Sequence, residues 1–120
     1  TDFKTGRALN SWRVTEDYYK HKLYRFRQQL LFYELLFKLS PEFTDVNSME
    51  LKIAFVEPSR RDIYYELTLD ADSKERNRLQ NLIQAVWQKI NQVNFPDTTV
   101  YSPDFRGVIS FEDDLINDKI

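Results

Sequence analysis

Between Glu16 and Leu39, the residues Leu23, Phe26, Leu30, Tyr33 and Phe37 recur at alternating steps of three and four. That spacing is the period of one helix face, and no strand can keep five such positions on one side. The front of the chain is therefore committed to a long helix. Leu31, Leu35, Leu36 and Leu39 extend the apolar surface past a single stripe, which predicts cover on more than one side. Thr15 is the expected N-cap. Glu16 and Asp17 fall in the first turn, where the helix dipole favours negative charge. Ser40-Pro41 is the stop signal, because proline disfavours helical backbone in the residue before it.

The period changes after the helix. Met49, Leu51, Ile53 and Phe55 alternate with Glu50 and Lys52, a polar turn runs from Glu57 to Asp62, and Ile63, Tyr65, Leu67 and Leu69 alternate again. Two half-buried strands around a polar turn predict a hairpin. Asp72 with Glu75 three residues later has the form of a capping box. It opens a second helix with apolar positions Leu79, Leu82, Ile83, Val86, Ile90 and Val93, closed by Phe95-Pro96. Before the first helix, Thr1 to Lys4 reads as the end of a strand broken by Thr5-Gly6, with chain expected upstream of it. Residues 97–120 show only a short apolar alternation at Val108, Ile109 and Phe111, then acidic Glu112 to Asp114, and are expected to form an irregular tail. The order is strand, helix, strand, strand, helix, an α+β or α/β pattern.

With 120 residues, 42% hydrophobic and 30% charged, the chain is expected to build one modest core in one domain. No apolar run approaches the roughly 18 residues of a membrane span, and the first residues lack a secretion signal's apolar centre. A soluble cytoplasmic protein with no membrane partner is the expectation. The absence of cysteine excludes disulfides, thiolate zinc sites and iron–sulfur clusters within these residues. With His21 the lone histidine, any metal would fall to carboxylates. Net charge is −2, yet residues 1–39 hold eight Lys or Arg against four acids, so an anionic ligand is expected at the front. A solvated helix face accounts for the same charges.

Two short patterns carry chemistry. In Asp2-Phe3-Lys4, residues two apart on a strand share a face, so Asp2 and Lys4 can share a site. A carboxylate beside an ammonium suits phosphodiester hydrolysis, the first holding a divalent cation and the second orienting water and balancing phosphate charge. Taken alone, the triplet describes a strand-end ion pair equally well. On the helix, Gln29 and Tyr33 lie four apart on one face, and the row extends back through Arg25, Lys22 and Tyr18. Cations, an amide and aromatic rings in line form a candidate nucleic-acid track. The other reading makes Lys22 and Arg25 solvent-facing and Tyr33 a core aromatic.

Together, and in this order, the patterns resemble those of RecB-like PD-(D/E)XK nucleases. TDFKTG is similar to that family's Asp-Tyr-Lys-Thr-Gly strand, with Phe3 where Tyr is common, and Gln29-Leu-Leu-Phe-Tyr33 matches its Gln-x-x-x-Tyr helix. The resemblance spans residues 1 to about 95, though only these motifs are specific. It implies a partial restriction-endonuclease-like core with a mixed sheet. It further implies that Asp2 ligates metal, that Phe3 lends its backbone carbonyl, that Lys4 is catalytic, and that Gln29 and Tyr33 support the site and touch DNA. The implied cofactor is Mg²⁺ or Mn²⁺, without an iron–sulfur cluster, and the implied parent is a UvrD/Rep-type helicase-nuclease of DNA repair or recombination. The family's earlier acidic ligands would lie upstream of Thr1, so these residues alone are expected to bind metal weakly and not to cut DNA. The alternative is a catalytically silent nuclease-like module that binds DNA or docks a protein.

Overall fold

A computed structural model describes residues 1–43 and 49–120. They divide into two compact units, Thr1–Asp70 and Ala71–Ile120.

The first unit contains strand β1 (Asp2–Lys4), helix α1 (Asp17–Leu39), strand β2 (Lys52–Phe55) and strand β3 (Glu66–Thr68). The strands form one sheet in the order β1-β2-β3. β1 runs parallel to β2 and β2 antiparallel to β3. Parallel neighbours need a long crossover, and α1 supplies it; the antiparallel pair needs only the hairpin read from the alternation. Mixed helix and sheet make the unit α+β.

Register explains which side is buried. Asp2 pairs with Ile53 and Lys4 with Phe55, while Ile53 pairs with Leu67. Paired residues on neighbouring strands share a face, so Asp2, Lys4, Ile53, Phe55 and Leu67 all point one way. Ile53, Phe55 and Leu67 are buried there in a cluster with Leu23 and Leu30 of α1, so α1 covers this face. Each such side chain contributes about 1.5–3 kcal/mol of burial free energy. The opposite face is bare, with Phe3 68% exposed and Glu66 and Thr68 also at the surface.

Several expectations change. Thr15 is not the N-cap of α1: Glu16 occupies that position and its side chain makes no cap hydrogen bond. Leu23, Leu30 and Leu31 are buried, but Leu36 and Leu39 stay exposed, so the cover expected on a second side does not reach the helix end. The chain leaves α1 at Ser40 into a single 3-10 turn, Pro41–Phe43. Residues 5–15 have no regular structure but pin to the core at Leu9, which is buried, and at Ala8, Trp12 and Val14, which pack against it; Trp12 Nε1 donates to the Thr68 carbonyl at 2.8 Å.

The hairpin turn is built by Ser59. Its carbonyl accepts from Asp62 N (2.9 Å), its amide donates to the Ile63 carbonyl (2.8 Å), and its hydroxyl accepts from Arg61 N and Ile63 N, both at 3.3 Å. Asp62 takes the left-handed conformation (φ 57°) that lets the strand resume after a three-residue turn.

The second unit pairs helix α2 (Ser73–Asn91) with helix α3 (Phe105–Ile116). Asp72 caps α2 as predicted, its Oδ1 accepting from Glu75 N at 2.9 Å. The helix does not run to Phe95-Pro96. It ends in a Schellman motif, with Val93 N on Ile90 O (3.1 Å), Asn94 N on Lys89 O (3.0 Å) and Val93 left-handed at φ 51°. Residues 105–116 are helical, not irregular. Asp104 starts α3 by accepting from Gly107 N at 2.9 Å, and the helix also ends in a Schellman pair, at Asp118 and Lys119. Arg78 of α2 is ion-paired with Asp113 of α3, and Tyr101 donates to Asp114 at 2.6 Å.

Candidate functional site

β1 turns Asp2 and Lys4 toward α1, and α1 turns Gln29 and Tyr33 toward them. Lys4 Nζ lies 3.0 Å from Asp2 Oδ2 and donates to Gln29 Oε1 at 2.5 Å. Gln29 Nε2 in turn donates to the Tyr33 hydroxyl at 2.8 Å. The direction of this relay is forced. An ammonium has only donors, so the amide must show it oxygen, which leaves the NH₂ group for Tyr33. Tyr33 thus accepts from Gln29 and keeps its own O–H to donate onward.

Phe26, one helical turn before Gln29, places its ring 4.7 Å from Lys4 Nζ, a cation–π contact. Lys4 and Asp2 are mostly covered, with side-chain exposures of 18% and 23%. At this burial the ammonium is positioned by a carboxylate, an amide oxygen and a ring face. Asp2 Oδ2 is itself buried and makes no hydrogen bond, although it stands at ion-pair distance from Lys4. The carboxylate therefore retains unused acceptor capacity. The Lys4 carbonyl accepts from Val56 N at 3.0 Å, so strand alternation sends the Phe3 carbonyl to the opposite edge of β1, which has no neighbouring strand among the described residues.

The rest of the predicted row separates. Lys22 Nζ lies 5.9 Å from the Phe26 ring centre and packs over Gly6, whose φ of +93° makes the turn out of β1. Arg25 is exposed. Tyr18 is 69% exposed and meets Tyr19 edge to face at 5.2 Å, apart from the Gln29–Tyr33 pair. Phe26 and Gly6 were not singled out as site residues by sequence. Their signals were present, Phe26 three positions before Gln29 and Gly6 in the turn pair after Lys4.

A divalent cation would find hard oxygen donors in the Asp2 carboxylate and the Phe3 carbonyl. These suit Mg²⁺ or Mn²⁺ in kind. They do not suffice in number, because no group of three or more His, Cys, Asp or Glu gathers anywhere among the described residues. Among the described residues no helix is long and apolar enough to cross a membrane.

Arg7, just past Gly6, donates to the Tyr19 hydroxyl at 3.1 Å, and this bond raises its pKa above the ordinary value. Its guanidinium also lies 5.1 Å from the Tyr19 ring centre.

No protein-family model matches this sequence, and no curated protein or solved structure matches it either.

Proposed function

We propose that Asp2, Lys4, Gln29 and Tyr33 form the phosphodiester-handling corner of a RecB-like PD-(D/E)XK deoxyribonuclease, with residues 1–70 contributing part of its restriction-endonuclease-like core. The observation that supports this reading is the convergence of Asp2 and Lys4 with Gln29 and Tyr33, brought from strand and helix into one hydrogen-bonded line. Lys4 balances charge developing on the phosphate in the transition state. Gln29 holds the ammonium in place, and Tyr33 offers its hydroxyl proton to a phosphate oxygen or base edge. A Mg²⁺ or Mn²⁺ ion, once further ligands completed its shell, would supply Lewis-acid polarisation of the phosphoryl oxygen. Asp2 and the Phe3 carbonyl would hold it, and because they are too few, residues 1–120 alone bind the ion weakly and do not hydrolyse DNA. A helicase motor in the same parent chain and a role in DNA repair or recombination rest on the family resemblance alone.

One observation favours a second reading, a silent DNA-binding module: the site's one carboxylate is already paired with Lys4. Titration with Mn²⁺ separates the two, read as paramagnetic broadening of backbone amide signals. The nuclease reading expects broadening to begin at residues 2–4 and to vanish in Asp2→Asn. DNA binding with broadening elsewhere, or broadening indifferent to Asp2→Asn, selects the silent module.

A further inference from the structure

A cavity of 540 Å³ lies between the segment after β1 and the β2–β3 turn. Arg7, Arg60 and Arg61 all line it, together with Tyr65, and no carboxylate does. A second cavity, of 320 Å³, shares Arg7 and Leu9 with the first and adds Arg13 and Tyr19. Glu16 is the one acid on its wall. The two walls together carry four arginines, Arg7, Arg13, Arg60 and Arg61, and two rings, Tyr19 and Tyr65, with the Arg7 guanidinium 5.1 Å from the Tyr19 ring centre.

Like charges gathered in one place repel, and an anion seated among them would relieve that repulsion. Arg60 and Arg61 are exposed and have no ion pair or side-chain hydrogen bond among the described residues. Their placement is nonetheless fixed. They occupy the two central positions of the turn that Ser59 closes, so the guanidinium stems leave a defined backbone. The turn carries two acids: Asp62, directly after Arg61, is not on the cavity wall, and Glu57 accepts from Gly6 N at 3.2 Å.

We infer that these two cavities bind the phosphate backbone of a single nucleic-acid strand. Guanidinium groups are the donors best matched to phosphate oxygens. One phosphate would need one cavity, whereas two cavities joined at Arg7 fit a polymer. Tyr19 holds the Arg7 guanidinium in place through its hydroxyl and its ring, and Tyr65, packed against the core, lines the first cavity beside the arginines. Arg7 is three residues beyond Lys4, so their Cα atoms lie within about 11 Å. A strand seated here therefore runs past β1. The inference concerns binding only and stands whether or not Asp2 and Lys4 carry out chemistry.

The test uses the whole chain in EDTA, which removes any metal contribution, with a fluorescent oligo-dT of about 15 nucleotides followed by anisotropy across a salt series. Arg60→Ala/Arg61→Ala is expected to weaken binding roughly tenfold and to flatten the slope of log K against log salt by about 1.4, at about 0.7 for each phosphate no longer neutralised. Both changes lie in an exposed turn, and an unaltered unfolding curve shows that the fold survives. Unchanged affinity and slope would overturn the assignment. So would inorganic phosphate displacing the oligonucleotide at matched ionic strength, which marks a small-anion pocket, or poly-glutamate of equal charge binding as tightly, which marks an acidic-peptide surface. Displacement by neither competitor supports the nucleic-acid strand.

Discussion

Lys4 Nζ and Gln29 Oε1 are 2.5 Å apart although 25 residues separate them in the chain. That bond fixes the amide, the amide fixes the Tyr33 hydroxyl, and the mostly covered Asp2 completes the line. Removing either end strands a polar group in a place water reaches poorly. Lys4→Met and Gln29→Leu are each expected to destabilise by about 1–3 kcal/mol. The double variant should lose less than the sum, with a coupling of about 0.5–3 kcal/mol in urea unfolding. Strict additivity would mean that the two side chains do not interact in solution.

Val93 holds a left-handed conformation at the end of α2 (φ 51°), where a β-branched residue is strained. The side chain is 75% exposed, so glycine there forfeits little packing. Left-handed backbone costs an ordinary residue roughly 1–2 kcal/mol, and glycine's extra unfolded-state freedom takes back part of that gain. Val93→Gly should therefore stabilise residues 71–120 by about 1 kcal/mol. Asp62→Gly, at φ 57° in the hairpin turn, should gain less, because aspartate tolerates this region better than valine. Thermal melts of both variants check the order.

The acid limb of stability should report the cap of α3. Asp104 accepts from the Ser102 hydroxyl and from Gly107 N, and these bonds hold its pKa below the ordinary value. Asp97 is lowered in the same direction by the backbone and side chain of Thr99. A carboxyl depressed in the folded state is more readily protonated when unfolded, so stability rises with pH through this range. The contribution is complete above the unfolded value of about 3.9 and is lost as pH falls through the lower folded values. Asp104→Asn keeps a competent N-cap without a titrating group. Its melting temperature should fall less steeply than that of the wild type between about pH 5 and pH 2, and identical slopes would refute the assignment.

Local signals carried much of this fold. The Asp2–Lys4 pairing follows from strand period, the Gln29–Tyr33 contact from helical spacing, and the hairpin from two alternating runs. Helix α3 was hidden because Glu112 occupies a position on its buried stripe. Phe105, Val108, Ile109, Leu115 and Ile116 keep helical spacing around a charge, and the neighbours Val108, Ile109 and Phe111 then mimic a short strand. The burial of Leu9 and the bond from Trp12 to Thr68 depend on contacts far along the chain, which no window of sequence can register. The arginine cavity is of the same kind, since Arg7 and Arg60 meet only once β1 and the hairpin share a sheet.

Gly107 offers the sharpest test of the second unit. It is buried in the first turn of α3, and a Cβ there would overlap the carbonyl of Ser102 and crowd its hydroxyl. The obstacle is backbone, which cannot swing aside as a long side chain can. Ser102 also supplies the hydroxyl bonded to Asp104, so moving its peptide loosens the cap that begins the helix. Gly107→Ala should therefore destabilise by at least about 2 kcal/mol, in the upper range for overpacking, despite alanine's higher helix propensity. Gly6 provides the contrast. Its Cβ would meet only the flexible tip of Lys22, at 3.0 Å, so Gly6→Ala should cost mainly the strain of its φ of +93°. Amide hydrogen exchange localises the two effects: Gly107→Ala should lose protection across 101–116 and leave β1–β3 intact. A uniform loss, or none, would show that the close approach of α3 to Ser102 does not hold this unit together.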